Sequence, residues 1–176
     1  MSDYGYDASP EETQDIPLRS GALEERFILQ PVKTVMHTKV GTVGPGDTVK
    51  EAVNRMVDGN YGCVLVVDDQ KLVGIFSERD LVCRVVHHNL DASQEKVADH
   101  MTHNPEVLRP EDEVAYALNI MMLGGFRHVP VVDDDYNLVG IFSIRDLQRE
   151  VVGHFEKEVL TLPPRPHGFP HRRYAG

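Results

Sequence analysis

The sequence predicts an α+β fold made of two tandem β-α-β-β-α repeats that pack on each other. Three observations carry this. The octapeptide at residues 74–81, GIFSERDL, recurs at 140–147 as GIFSIRDL with one letter changed. Extended backwards, the match pairs Asp68-Asp69 with Asp133-Asp134, Met56 with Met121, Asp47 with Asp112, Pro45 with Pro110 and Met36 with Met101. The offset is 65 residues up to the Asp-Asp pair and 66 after it, so the second copy carries one extra residue near Tyr136. Such self-similarity marks a repeat architecture and has to be read before any single motif. Finally, a copy of roughly 55 residues is marginal alone, so the two are expected to share a core.

Residues 1–26 are acidic, carry Pro10 and Pro17 and lack hydrophobic periodicity, so they are expected to form a flexible arm. Repeat 1 then occupies residues 27–90 and repeat 2 residues 91–153. The tail, 154–176, is rich in Pro, Arg and His, and its four prolines argue against a regular element. Each repeat opens on a lead-in, VKTVM at 32–36 and VADHM at 97–101. Thr42-Val43 and Val107-Leu108 follow as short extended segments closed by Pro45 and Pro110. Asp47 and Asp112 are placed to cap the next helix. Its apolar positions, Val49, Ala52, Val53, Met56 and Val57, or Val114, Ala117, Leu118, Met121 and Met122, run i, i+3, i+4, i+7, i+8 and mark one buried face. All three methionines are expected in the core. Gly59 and Gly124 stand where the helix should stop.

The runs CVLVV at 63–67 and HVPVV at 128–132, each followed by LVGIF at 72–76 or 138–142, read as hairpins. Asp68-Asp69 and Asp133-Asp134-Asp135 between them are solvated turns rather than a cation site. A second helix begins at Ser77 and Ser143 and should bury Leu81, Val85 and Val86, or Leu147, Val151 and Val152.

Composition sets the class. Apolar residues make up 41% and charged residues 26%, as in an ordinary soluble domain. No stretch reaches 18 uninterrupted apolar residues, and the start MSDYGYDASPEE has neither a basic nor an apolar leader region. A cytoplasmic protein without a membrane segment is the expectation. The net charge of -10 argues against binding a nucleic acid duplex while leaving room for a local basic pocket. Cys63 and Cys83 fall at unrelated points of the repeat without metal-ligand spacing, and Cys63 reads as a small core residue. His87-His88 suits a helix C-terminus better than a metal.

The chemistry sits where the second hairpin strand turns into its helix. Ser77-Glu-Arg-Asp80 and Ser143-Ile-Arg-Asp146, read locally, are capping boxes, with Phe76 and Phe142 stapled against Leu81 and Leu147. Capping accounts for the serine and tolerates the aspartate, but it does not ask for Arg79 or Arg145. A ligand carrying a diol and a phosphate would use all of them. A carboxylate accepts from adjacent ribose hydroxyls, whereas a serine hydroxyl, helix N-terminal N–H groups and a guanidinium suit phosphate. Nucleotides have that arrangement.

The double G-h-F-S-x-R-D-L, the run Val-Pro-Val-Val-Asp-Asp at 129–134 and Met101-Thr102 fall in order over about residues 27–153. Together they resemble a tandem pair of CBS domains, the regulatory module also found in inosine monophosphate dehydrogenase, the energy-sensing kinase gamma subunit and chloride channels. The resemblance implies a pseudo-twofold α+β pair, here in a free-standing protein, with two clefts that bind AMP, ADP or ATP, or else NAD(H) or S-adenosylmethionine. It implies ribose at Asp80 and Asp146, with Ser77 and Ser143 near ribose or phosphate. Adenine would lie against residues 38–43 and 103–108, which include Thr38, Val43, His103, Asn104 and Val107. Phe126-Arg-His-Val-Pro130 is similar to the family segment whose basic residues reach phosphates, so Arg127 and His128, with Pro130 beside them, are further candidates. The first copy has Tyr61-Gly-Cys-Val-Leu65 instead, so one cleft is expected to bind a phosphorylated nucleotide well and the other weakly, or to take a less charged ligand.

The resemblance also implies a homodimer, with Cys63, Met56 or the apolar helix faces as contributors, and an unidentified regulated protein as partner. No paired nucleophile and base, metal-ligand cluster or P-loop speaks for an enzyme, and no cofactor is called for. A dimerising scaffold with empty clefts is the alternative, because modules shed ligands while keeping architecture.

Overall fold

The computed structural model of the chain describes residues 27–154. The expectations for the arm, 1–26, and for the tail beyond 154 fall outside the described residues. A 3-10 turn, Val32–Thr34, precedes β1 (Thr42–Val43), α1 (Val49–Gly59), β2 (Cys63–Asp68) and β3 (Lys71–Ser77). Helix α2 (Glu78–Asp80) continues directly as a π-helical segment, Leu81–Val86. Repeat 2 gives α3 (Val97–His100), β4 (Thr102–His103), α4 (Val114–Gly124), β5 (His128–Val132), β6 (Leu138–Ser143) and α5 (Ile144–His154). This is the expected α+β pair of strand-helix repeats.

The two copies are tied together by exchanged edges. In repeat 1, β1 runs parallel to β2, and β2 pairs antiparallel with β3 through Cys63 and Ser77. The lead-ins run on as extended chain to about residues 41 and 106, and strand β4, in that of repeat 2, completes the sheet by pairing Thr102 and His103 with Ile75 and Gly74. The reciprocal arrangement holds in repeat 2. Leu108 bridges parallel to Val131, and His37, from the lead-in of repeat 1, pairs antiparallel with Ile141. His37 and Ile141 exchange both backbone hydrogen bonds at 2.9 Å. Each lead-in thus closes the other repeat's sheet, so neither copy presents a complete sheet by itself. The hairpin tips also meet, the Leu72 N–H donating to the Tyr136 carbonyl and the Leu138 N–H to the Gln70 carbonyl.

Two equivalent cores lie under the sheets. One gathers Val49, Ala52, Met56, Val64, Val66, Phe76 and Val85, and the other Val114, Ala117, Met121, Val129, Val131 and Phe142. A third cluster, Leu65, Leu72 and Val132, joins the two hairpins. Leu81 packs on the first core beside Phe76, as a staple pair would.

Several expectations are corrected here. Met122 and Val57 are largely exposed, and Val86 and Val152 are also outside the core. Positions 57 and 122 fall at the edge of the apolar stripe, and α1 and α4 bury a narrower face than the sequence pattern allows. Helix α1 is capped by Thr48 rather than Asp47. The Thr48 hydroxyl accepts from the Glu51 N–H, and the Glu51 carboxylate accepts from the Thr48 N–H at 2.7 Å. Asp47 instead turns back to accept from the Gly44 N–H at 2.8 Å, and Asp112 likewise from the Arg109 N–H at 2.7 Å. Helix α4 starts at Glu113 without a side-chain cap, its Val114 N–H donating to the Gln30 carbonyl. Both helices end on the expected glycines, with left-handed backbone one residue later at Asn60 and Gly125. Thr48→Ala is therefore expected to lower stability by about 1 kcal/mol in urea denaturation, a cap-sized loss.

Candidate nucleotide site

Each strand-to-helix corner folds as its local chemistry dictates. The Ser77 hydroxyl accepts from the Asp80 N–H, and Asp80 Oδ2 accepts from the Ser77 N–H at 2.9 Å and from its hydroxyl at 2.6 Å. In repeat 2, Asp146 Oδ2 accepts from the Ser143 N–H at 2.8 Å and the hydroxyl at 2.7 Å. Both aspartates are buried. Their second oxygens face basic side chains. Arg84 lies 3.3 Å from Asp80 Oδ1, while His37 Nε2 and the Arg149 guanidinium both reach Asp146 Oδ1. The first corner is a reciprocal capping box, as the local reading has it, and the second shows its carboxylate half, Asp146 on Ser143.

Each corner also opens on a cleft, of about 450 Å³ beside Ser77 and about 370 Å³ beside Ser143. These volumes lie in the range of small-molecule sites. Each cleft takes its helix start from one repeat and its opposite wall from the other. The first combines Ser77 and Asp80 with Asn104, Phe126 and Arg127, and the second combines Ser143 and Arg145 with His37, Lys39 and Tyr61.

Of the sequence-derived candidates, Ser77, Arg79, Asp80, Asn104, Arg127 and His128 line the first cleft. Ser143, Arg145 and again His128 line the second. Asp146 stands behind Ser143, 2% exposed, and does not itself line the space. Thr38, Val43, His103, Val107 and Pro130 line neither cleft. Val43 and Pro130 are buried, Val107 packs against the hairpin cluster, and Thr38 and His103 are exposed. Residues 37, 39–41 and their counterparts 102, 104–106 reach the clefts, so Thr38 and His103 fall in the gap of each run and Val43 and Val107 fall beyond it.

Sequence reasoning missed His37, Arg84, Arg149 and Glu78, and covered Lys39 and Glu106 only within the ranges 38–43 and 103–108. Arg84 and Arg149 had a signal, since a basic residue follows each aspartate by one helical turn. His37 had none, because only the exchange of lead-ins carries it to the other repeat's helix.

Arg127 and His128 are also divided rather than clustered. Arg127 faces the first cleft, and His128 forms, with Gly62, the partition between the two. A Cβ on Gly62 would stand 3.1 Å from the imidazole, so glycine there lets the ring occupy the wall. Burial, followed by the charges of Arg127 and Arg145, holds the His128 pKa below its usual 6.5. The folded chain therefore refuses a proton that the unfolded chain accepts. Stability is expected to fall as pH drops below about 6.5 and to level off beneath the folded pKa. Urea midpoints between pH 7.5 and 5.5 should show a steeper decline for the wild type than for His128→Gln. Cys63, the counterpart of His128 in repeat 1, is buried, and desolvation with the nearby Glu78 and Asp80 pushes its thiol up to about 12.

The CBS domain model of protein families matches residues 32–87 and 97–153, one match per repeat. The chain belongs to the CBS domain family. An uncharacterised 17.7 kDa protein of Acidianus ambivalens is 38% identical over 122 residues, covering 69% of this chain and 73% of that protein. The CBS domain-containing protein CBSCBSPB1 of Arabidopsis thaliana is 36% identical over 124 residues, again 69% of this chain but only 23% of the relative. This CBS pair thus spans about a quarter of that plant protein's length. Among solved structures, CBSX2 in complex with AMP is similar with a TM-score of 0.63 at 26% identity, covering 71% of this chain and 98% of that one. The CBS domain pair of protein MJ0100, in complex with 5′-methylthioadenosine and S-adenosyl-L-methionine, gives 0.65 at 25% identity, over 72% and 98%.

Proposed function

We propose that this CBS pair is a regulatory module that binds an adenosine-containing nucleotide in its clefts and acts on a partner protein. The observation that carries the reading is the twin corner. Each sets a serine hydroxyl and an arginine of one repeat across a ligand-sized space from the other repeat's lead-in, with a buried aspartate in the first lining and directly behind the serine in the second. AMP, ADP and ATP are the first candidates, with NAD(H) and S-adenosylmethionine behind them. Similarity to pairs solved with AMP, 5′-methylthioadenosine and S-adenosyl-L-methionine supports this choice. On binding, the ribose hydroxyls replace His37 and Arg149 at Asp146 Oδ1, and Arg84 at Asp80, while the freed Arg149 guanidinium turns to phosphate. A nucleotide that favours one arrangement of the exchanged lead-ins then shifts the module's geometry by its differential affinity.

A binding rather than catalytic role is supported by the serines themselves, whose hydroxyls are held at the helix starts by the aspartates three residues on. Among the described residues no helix is long and apolar enough to cross a membrane. The homodimer reading now rests on Val57 and Met122, equivalent and exposed on α1 and α4, and on Val86 and Val152, equivalent and exposed on the second helices. Cys63 and Met56 are buried within the chain and contribute nothing to such an interface. Sedimentation equilibrium should return twice the chain mass.

A thermal-shift panel of AMP, ADP, ATP, NADH and S-adenosylmethionine tests the function. A hundredfold excess over Kd should stabilise the folded form by about 2.7 kcal/mol, raising Tm by roughly 8 °C. No shift with any of them favours the scaffold reading, and consumption of the ligand would make the protein an enzyme.

A further inference from the structure

The two clefts are near-copies in shape but not in charge. In the cleft beside Ser143, the side chains of Lys39 and Arg145 have no hydrogen-bond or ion-pair partner among the described residues. Arg149 is tied to Asp146 and His37. No carboxylate lines this cleft. Two uncompensated cations therefore face one small space.

The cleft beside Ser77 is different. Arg84 is fully engaged, donating to the His100 and Met101 carbonyls at 2.8 and 2.6 Å and pairing with Asp80. Arg79 and Arg127 remain as positive charges, but Glu78 and Glu106 stand in the same lining without a partner among the described residues. Two cations meet two carboxylates, and the space is close to neutral. The inequality follows from the exchanged lead-ins. Lys39 in one corresponds to Asn104 in the other, and Gly41 to Glu106.

We propose that the clefts sort adenosine ligands by charge. The cleft of Lys39 and Arg145 takes a polyphosphate such as a nucleoside triphosphate, and the cleft of Glu78 and Glu106 takes a neutral or zwitterionic adenosine derivative. This rests on the nucleotide-binding reading above. A polyphosphate in the second cleft gains two exposed, unpaired cations, so no existing ion pair has to be broken. In the first cleft the same polyphosphate meets Glu78 and Glu106, and like-charge repulsion cancels what Arg79 and Arg127 give. A derivative bearing an ammonium or sulfonium group pairs with those carboxylates instead.

Isothermal titration of the full chain with adenosine and with ATP, without divalent cation, tests the sorting. The wild type should bind one ATP. Lys39→Met with Arg145→Met should weaken ATP about tenfold or more, the loss of at least one charge-assisted contact, while changing adenosine about twofold or less. Glu78→Gln with Glu106→Gln should raise the ATP stoichiometry from one to two. Circular dichroism spectra matching the wild type establish that both variants are folded, and all four positions are surface-accessible cleft residues. If adenosine and ATP bind but neither double variant changes ATP affinity or stoichiometry, the sorting is wrong and the nucleotide reading stands. If the wild type binds neither probe, both fall together.

Discussion

Asp146→Ala is expected to lower the stability of the unliganded protein by about 2–3 kcal/mol and to abolish nucleotide binding in the second cleft. The carboxylate is 2% exposed and accepts from the Ser143 N–H and hydroxyl at the first turn of α5, and from His37 and Arg149 on its other oxygen. Alanine leaves the Ser143 N–H without an acceptor in a buried corner, which costs more than the net worth of one hydrogen bond. The exposed His37 and Arg149 side chains can return to water, so their share is small. Stability of a domain this size runs to about 5–15 kcal/mol, so the variant should still fold. Asp146→Asn separates the roles. Its amide oxygen keeps the cap, so denaturant stability should fall by no more than about 1 kcal/mol, while the second acceptor needed for a ribose diol is gone. Urea denaturation read beside nucleotide titration distinguishes them. Normal binding by Asp146→Asn would reduce this aspartate to a structural cap.

Gly140→Ala should cost about 2 kcal/mol or more, an overpacking penalty against backbone. A Cβ at Gly140 would lie 2.5 Å from the His37 carbonyl oxygen, in the middle of the exchanged edge where His37 and Ile141 share two hydrogen bonds. Backbone cannot step aside there without giving up the pairing. The lead-in would lift from β6, carrying His37, Lys39 and Gly41 away from the second cleft, so stability and nucleotide affinity should fall together. The equivalent Gly74→Ala meets the Met101 thioether, a flexible side chain that can rotate, and should cost less. Equal losses at the two positions, or a Gly140→Ala variant as stable as the wild type in urea, would contradict the exchange of edges as the element that joins the repeats.

The periodicities on which the sequence reading relied are local, and local structure is where it succeeded. Hairpins 63–77 and 128–143, the 11-residue helices ending on Gly59 and Gly124, and the Ser-x-x-Asp corners were all legible, since each is specified by residues close in sequence. The buried faces were read too broadly, because Val57 and Met122 satisfy a helical stripe whether or not another element reaches them. What the sequence concealed was the exchange of lead-ins. Nothing in VKTVMH says that His37 will pair with Ile141 a hundred residues away. With that hidden, His37 and Lys39 could not be assigned to the Ser143 corner, nor could Arg127 be assigned to the opposite one. The capping and ligand readings of Ser-Arg-Asp are compatible, because one carboxylate oxygen caps the helix and the other faces replaceable side chains.

The most direct test of the account is a crystal structure of the full chain grown with saturating AMP. The account predicts an adenosine moiety in the cleft between residues 37–41 and the start of α5, with its ribose hydroxyls on Asp146 and His37 swung away from that carboxylate. Clefts empty of ligand, with the His37 and Arg149 contacts to Asp146 intact, would contradict it.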